Sequence, residues 1–189
     1  MCGICGQYNF KDQSPVKPEI VKAMSHAIRS RGPDDEGHFF SQGVGLGFRR
    51  LSIIDLEGGH QPMSDIAEDV WVAFNGEIYN FQELRTELKA AGHHFQTRSD
   101  TEVIIHGYKQ WGTDVFYRLN GMFGLAIWEE SRKRLVLARD AVGIKPLYYS
   151  VNDGTLLFGS ELRSVLAGLG NRPKIDVSAL NLFLRYRYT

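Results

Sequence analysis

Residues 121–160 read GMFGLAIWEESRKRLVLARDAVGIKPLYYSVNDGTLLFGS, and their pattern decides the fold class. Four short apolar and aromatic runs, GMFGLAIWEE, RLVLARD, PLYYSV and TLLFGS, follow one another. Each is too short for an ordinary helix, and turn formers separate them at Ser131-Arg132-Lys133 and at Asn152-Asp153-Gly154. That arrangement predicts an antiparallel meander. Upstream, HFFSQGVGLGFRRLSII (38–54) and DVWVAF (69–74) read as further strands. Gly43, Gly45 and Gly47 thin one side there, which predicts the close approach of another backbone.

Helices announce themselves by their ends. Pro18 suits a first turn, and Ile20, Met24, Ala27 and Ile28 then share a face until Gly32. Asn80 with Glu83 predicts a capping pair before Leu84, Leu88 and Ala91, closed by Gly92; Ser99 with Glu102 repeats the device before Ile104, Tyr108 and Trp111, closed by Gly112. A last helix is expected to begin at Asp176 and to run without a stop signal, as in a polypeptide that continues. Antiparallel strands interspersed with helices give an α+β class, two stacked sheets with helices outside them.

The chain has 189 residues, 22 basic and 22 acidic, for a formal net charge of zero. That length suits one domain. A balanced charge supplies no field to gather nucleic acid or an anionic membrane surface, so neither is expected as a partner. The N-terminus lacks the pattern of a secretory leader and no run of apolar residues is long enough to span a bilayer, so a cytoplasmic location is expected. Two cysteines do not make a disulfide framework.

Cys2 and Cys5 form a CxxC pair without a second pair or suitably spaced histidines, which argues against zinc or dithiol chemistry and leaves Cys5 as a small apolar strand residue. Cys2 differs by position. Met1 before a small residue is usually trimmed, and the shortened chain would carry an α-amine with a pKa of roughly 8 beside a thiol of roughly 8.5. One residue would then hold both base and nucleophile. The alternative is an ordinary second-position cysteine.

A thiolate attacking a carbonyl needs donors for the oxyanion. Asn75 and Gly76, in VAFNGEIYNF, could provide a side-chain amide and a backbone N–H at a turn between strands; the same dipeptide could be a plain hairpin turn. Arg49 and Arg50 are adjacent on a strand and should face opposite ways, one gripping a carboxylate and the other in water. Asp100, at a helix start, is either a cap or a partner for an ammonium group, and Glu77 has the same two readings. Gly43–Gly47 lacks the lysine and following helix of a phosphate loop. His93 and His94 read as surface loop, and RGPDDEG (31–37) as a turn.

Taken in order, MCGICG, SRGPDDEG, FRRLSIIDLEGGHQPM, FNGEIYNFQELRTEL, RSDTEVIIHGYKQWG, LNGMFGLAIWE and RDAVGIKPLYY resemble the glutaminase domain of glutamine-hydrolysing asparagine synthetases. These are class II glutamine amidotransferases within the N-terminal nucleophile (Ntn) hydrolases. The resemblance spans the whole chain, residues 1–189, and implies a four-layer αββα sandwich of two antiparallel sheets flanked by helices. It implies that Cys2, freed of Met1, attacks the side-chain amide of L-glutamine, with Asn75 and Gly76 holding the oxyanion. Arg50 would bind the substrate carboxylate, and Asp100 and Glu77 its ammonium. Leu51, Ser52, Ile53 and Ile54 would line the pocket, with Asn75 and Gly76 also touching substrate. The family often has histidine at the positions of Ser30 and Phe48, and arginine at that of Ala141.

No cofactor or metal is expected in this domain. ATP and magnesium would belong to a C-terminal synthetase domain, whose SGGxDS pyrophosphate loop is not in this sequence. The resemblance implies no particular oligomer. Two other functions stay open from sequence: the amidotransferase half of another acceptor system, such as an aminosugar synthase or a phosphoribosyl amidotransferase, and an amino-acid-binding homologue without turnover.

Overall fold

A computed structural model of the chain describes residues 2–51, 59–171 and 173–187. In chain order the elements are β1 (Gly3–Asn9), α1 (Pro18–Ala27), β2 (Asp35–Ser41), β3 (Val44–Arg50), β4 (Met63–Ser64), β5 (Val70–Ile78), α2 (Phe81–Ala90) and α3 (Thr101–Trp111). They continue with α4 (Val115–Arg118), β6 (Gly121–Glu129), β7 (Arg134–Arg139), β8 (Tyr148–Asn152), β9 (Thr155–Gly159), α5 (Leu162–Gly168) and α6 (Val177–Tyr186). The strands form a five-stranded sheet, β2-β3-β1-β9-β8, and a four-stranded sheet, β4-β5-β6-β7, with every pair antiparallel.

Period-2 alternation sorts the side chains into three apolar layers. Ile4, Val44, Leu46, Phe48, Phe158, Ala73, Ala126 and Trp128 meet between the two sheets. Val72, Phe74, Leu125 and Ile127 turn the other way, onto Leu84 and Leu88 of α2 and Ile104 and Tyr108 of α3. Cys5 and Leu157 face outward from the five-stranded sheet onto Met24 of α1 and Val165 of α5. The order is therefore α1/α5, five-stranded sheet, four-stranded sheet, α2/α3, the αββα layering expected. Phe48 and Phe158 are at most 1% exposed, and full burial of such a side chain is worth roughly 1.5–3 kcal/mol. Among the described residues no helix is long and apolar enough to cross a membrane.

The expected meander is two hairpins in different sheets. β6 pairs with β7 and β8 with β9, but β7 and β8 do not pair. The break lies at Asp140, whose carboxylate accepts hydrogen bonds from the N–H groups of Phe123 (3.1 Å), Ile144 (2.8 Å) and Lys145 (3.0 Å). Arg139 adds a bond from Nε to the Lys145 carbonyl at 2.7 Å. These bonds curl residues 140–145 back on β6, so the chain leaves one sheet and enters the other instead of turning into a third adjacent strand. Burial alone would raise the Asp140 pKa, but the N–H groups around it hold it below the usual carboxylate range.

Other local expectations shift in similar ways. What approaches Gly45 and Gly47 is α1 and a neighbouring strand's side chain: an added Cβ would come within 2.8 Å of Val21 Cγ2 and of Cys5 Sγ, respectively. Asn80 does not cap α2; its Oδ1 accepts from Asn120 N–H and its Nδ2 donates to the Arg118 carbonyl, each at 2.9 Å. Pro18 stands in the first turn of α1, and Asp176 caps α6 through Ser178 N–H (2.9 Å) and Ala179 N–H (3.1 Å), both as the sequence predicts.

Candidate active site

Cys2 lies one residue before β1 and shares a face with Ile4, toward the space between the sheets, where it packs on that core. Arg31 donates from Nε to the Cys2 carbonyl at 2.8 Å and pairs through Nη1 with Glu161 at 3.1 Å. The Cys2 Sγ is 3.7 Å from the carbonyl oxygen of Leu51. Cys5, three residues on, faces the opposite side of the strand, and both thiols are free. Complete burial pushes the Cys5 thiol up to about 12, so it stays protonated.

A cleft of about 160 Å³ opens at Cys2, lined by Phe48, Arg50, Leu51, Gly59 and Gln61 on one side and by Phe74, Gly76, Glu77, Ser99, Asp100 and Thr101 on the other. Five of the predicted substrate residues (Arg50, Leu51, Gly76, Glu77 and Asp100) thus border the same space as Cys2. Ser52, Ile53 and Ile54 lie outside the described residues, as does Met1. A larger groove, about 650 Å³, is bordered by Tyr117, Phe123, Asp140 and Ala141 and shares no residue with this cleft.

Arg49 and Arg50 do face opposite ways, but neither is in water. Arg50 is 6% exposed and borders the cleft, whereas Arg49, 9% exposed, reaches the Ser25 carbonyl of α1 and pairs with Glu36. The reason is helical cover: the outer face of β3 lies under α1, so a charge there needs protein partners.

The Asn75-Gly76 pair is not at a turn. It sits inside β5, opposite Gly124 and Phe123 of β6. β4 pairs with Trp71 and Val72, so among the described residues the outer edge of β5 beyond Val72 has no strand beside it. Strand alternation sends the N–H groups of residues 74, 76 and 78 to that edge, while Tyr79 N–H turns the other way, to the Asn120 carbonyl at 2.7 Å. Side chains fill two of the three edge positions: Gln61 Oε1 accepts from Phe74 N–H at 2.7 Å and Asp100 Oδ2 from Ile78 N–H at 3.0 Å. Between them the Gly76 N–H faces the cleft. The Asn75 side chain is on the inter-sheet face with Ala73, is 1% exposed, and its Nδ2 has no hydrogen-bond partner among the described residues. A buried amide donor without an acceptor is costly, which singles out Asn75 as a candidate donor to a ligand.

Asp100 stands at the N-terminus of α3 but caps the open strand rather than the helix. Burial raises its pKa, the Ile78 N–H works against that, and the nearby Glu77 charge adds to the rise. The neighbouring Glu102 turns backwards to hold Gln96 N–H and Thr97 N–H at 2.7 Å each, which builds the corner on which Ser99 to Thr101 sit. The Ser99–Glu102 capping pair is thus replaced by a loop clamp.

Sequence reasoning assigned no role to Arg31, Gln61 or Thr101, although SRGPDDEG, GGHQPM and RSDTEV contain them, nor to the cleft wall Phe48. Ser30, one of the departures, accepts from Arg163 Nη2 at 2.7 Å, away from the cleft.

The family profile of the glutamine amidotransferase domain matches residues 1–189. The chain belongs to this family. This amidotransferase domain is 43% identical over 190 residues to asparagine synthetase [glutamine-hydrolyzing] 1 of Bacillus subtilis, a match covering 100% of the chain and 30% of that protein. It is 39% identical over 183 residues to asparagine synthetase [glutamine-hydrolyzing] 3 of the same organism, covering 96% and 30%, and 40% identical over 166 residues to asparagine synthetase [glutamine-hydrolyzing] 2 of Oryza sativa, covering 87% and 28%. The chain thus spans about 30% of the length of the first of these relatives. Among solved structures, the glutamine phosphoribosylpyrophosphate amidotransferase from B. subtilis superposes with a TM-score of 0.73 at 20% identity, over 88% of this chain and 43% of that one. At that identity the likeness speaks for the fold, and it agrees with the two antiparallel sheets flanked by helices.

Proposed function

We propose that this domain hydrolyses the side-chain amide of L-glutamine through a Cys2 thioester and passes the ammonia to an asparagine synthetase domain in a longer protein. The observation that carries the reading is that the Cys2 thiol shares one small cleft with the open strand edge at Gly76, next in the chain to Asn75, whose buried Nδ2 has no hydrogen-bond partner among the described residues. The names of the relatives, all glutamine-hydrolysing asparagine synthetases, supply the acceptor reaction.

With Met1 removed, the Cys2 α-amine takes the thiol proton and the sulfur bonds to the glutamine side-chain carbonyl carbon. The carbonyl oxygen becomes an oxyanion held by Asn75 Nδ2 and Gly76 N–H, each donor of this type being worth about 10²–10³ in kcat. Collapse breaks the C–N bond, and the α-amine returns its proton to the leaving nitrogen, which departs as ammonia. Water then adds to the thioester, giving its proton to the same amine; the C–S bond breaks, glutamate leaves and the thiol regains its proton. Arg50 takes the substrate carboxylate and Asp100 with Glu77 its ammonium, with Leu51 beside the substrate backbone. The domain uses no cofactor of its own, and ATP and magnesium belong to the synthetase partner.

The test is ammonia release from glutamine by material whose intact mass shows Cys2 first. Release should vanish in Cys2→Ala and persist in Cys5→Ala. Equal release in both variants refutes the nucleophile, and material that retains Met1 should be inactive because its amine stands one residue too far from the thiol.

A further inference from the structure

We infer that Gln61 is a positioning residue for the oxyanion donors, an inference that rests on the glutaminase reading above and adds to it a residue that touches none of the reacting atoms. Gln61 is 6% exposed and stands just ahead of β4, where the short edge strand ends and the outer edge of β5 becomes open. Its amide stands in for a strand partner at one point. Oε1 accepts from Phe74 N–H at 2.7 Å, and Nε2 donates to Thr101 Oγ1 at 3.3 Å. The orientation of the amide follows from the chemistry, because the Phe74 N–H can only donate and so must meet oxygen. Thr101 Oγ1 also accepts from Ser99 Oγ at 3.1 Å, so the amide joins the first turn of α3 to the strand residue directly before Asn75. The backbone of Gln61 also packs closely on β2: an added Cβ on Gly37 would collide with the Gln61 carbonyl oxygen. One residue therefore touches the five-stranded sheet, the four-stranded sheet and α3.

Two effects follow. Filling the Phe74 N–H leaves Gly76 as the N–H that the edge offers to the cleft, so a substrate carbonyl meets one donor register rather than two. Holding the peptide before Asn75 also fixes the Asn75 amide and the Gly76 N–H relative to Cys2. Asp100 does the same at the far end, through Ile78 N–H. A displacement of about 1 Å at the reacting centre costs about 10²-fold in rate.

Trimmed wild-type protein is compared with Gln61→Met, which keeps length and removes both bonds, and with Gln61→Glu, which in either protonation state keeps an oxygen on Phe74 N–H. Ammonia release is followed against glutamine concentration. Gln61→Met is expected to lower kcat about 100-fold with KM changed less than about threefold. Gln61→Glu should lower kcat only about fivefold, the scale of one neutral hydrogen bond. Equal losses in the two folded variants, or a loss confined to KM, overturn the inference. Should Gln61→Met fail to fold, Thr101→Val decides: it removes one anchor and leaves the Phe74 bond, so a kcat loss smaller than about tenfold agrees with the inference, and one as large as about 100-fold overturns it. A wild-type protein that releases no ammonia would instead overturn the glutaminase reading.

Discussion

Acidification should strip stability from this domain through one carboxylate, Glu102, and the size of the effect can be worked from its surroundings. The side chain is 7% exposed. Its two oxygens accept from Gln96 N–H, Thr97 N–H and Thr97 Oγ1 at 2.7 Å each, with His106 Nε2 at 3.4 Å. Burial by itself would raise the pKa, but His106 and these donors outweigh it and bring the group from 4.5 down to about 2. A folded-state pKa below the unfolded one means that the stabilisation is complete above the unfolded value and is lost as the pH falls toward the folded value. At 1.36 kcal/mol per unit the gap amounts to about 3 kcal/mol, of which about 2 kcal/mol is gone by pH 3. Urea unfolding of wild type and Glu102→Gln at pH 7, 5, 4 and 3 measures it, since the variant removes this titration while the other carboxylates remain. The stability gap between the two proteins should narrow by about 2 kcal/mol between pH 7 and pH 3. A gap that stays constant over that range refutes the argument. Because Glu102 builds the corner that carries Asp100, the variant should also raise the KM for glutamine at neutral pH.

The raised pKa of Asp100 gives the opposite sign: its ionised form costs folding stability, a cost absent below the unfolded pKa and complete above the folded one. Asp100→Asn keeps an acceptor for Ile78 N–H, so at pH 7 its melting temperature should equal or exceed that of wild type, while the KM for glutamine rises about 10- to 100-fold through the lost charge-assisted bond. A large fall in melting temperature would count against this. Asp140→Asn removes charge from a carboxylate that accepts three backbone N–H groups and should cost about 1–3 kcal/mol in urea unfolding; a change below about 0.5 kcal/mol would show that the 140–145 crossover does not depend on it. Iodoacetamide at pH 8 should add one adduct to the native protein, mapped to Cys2 by peptide mass, because the Cys5 thiol, at about 12, stays protonated and buried. Labelling at Cys5 of the folded chain would contradict its placement under α1.

Hairpins, helix starts and the α+β class were legible in the chain because each depends on neighbours within a few residues. Period-2 alternation, Asn152-Asp153-Gly154 at a turn and Asp176 ahead of α6 are all local. Its second position together with the family resemblance singles out Cys2 as the candidate nucleophile, and the fold places it on the wall of a cleft. What only the tertiary structure decided is where the hydrogen bonds of those local pieces end. Asn75 and Gly76 look like a turn in one dimension, yet they lie in mid-strand, because β6 supplies the partners on one side. On the other side a glutamine 13 residues before Phe74 and an aspartate 22 residues after Ile78 fill the positions flanking Gly76. The split of the meander between two sheets, the burial of Arg49 under α1 and the backward clamp of Glu102 share that cause. A buried N–H or charge must find a partner, and the folded chain, not the local sequence, determines which one is within reach.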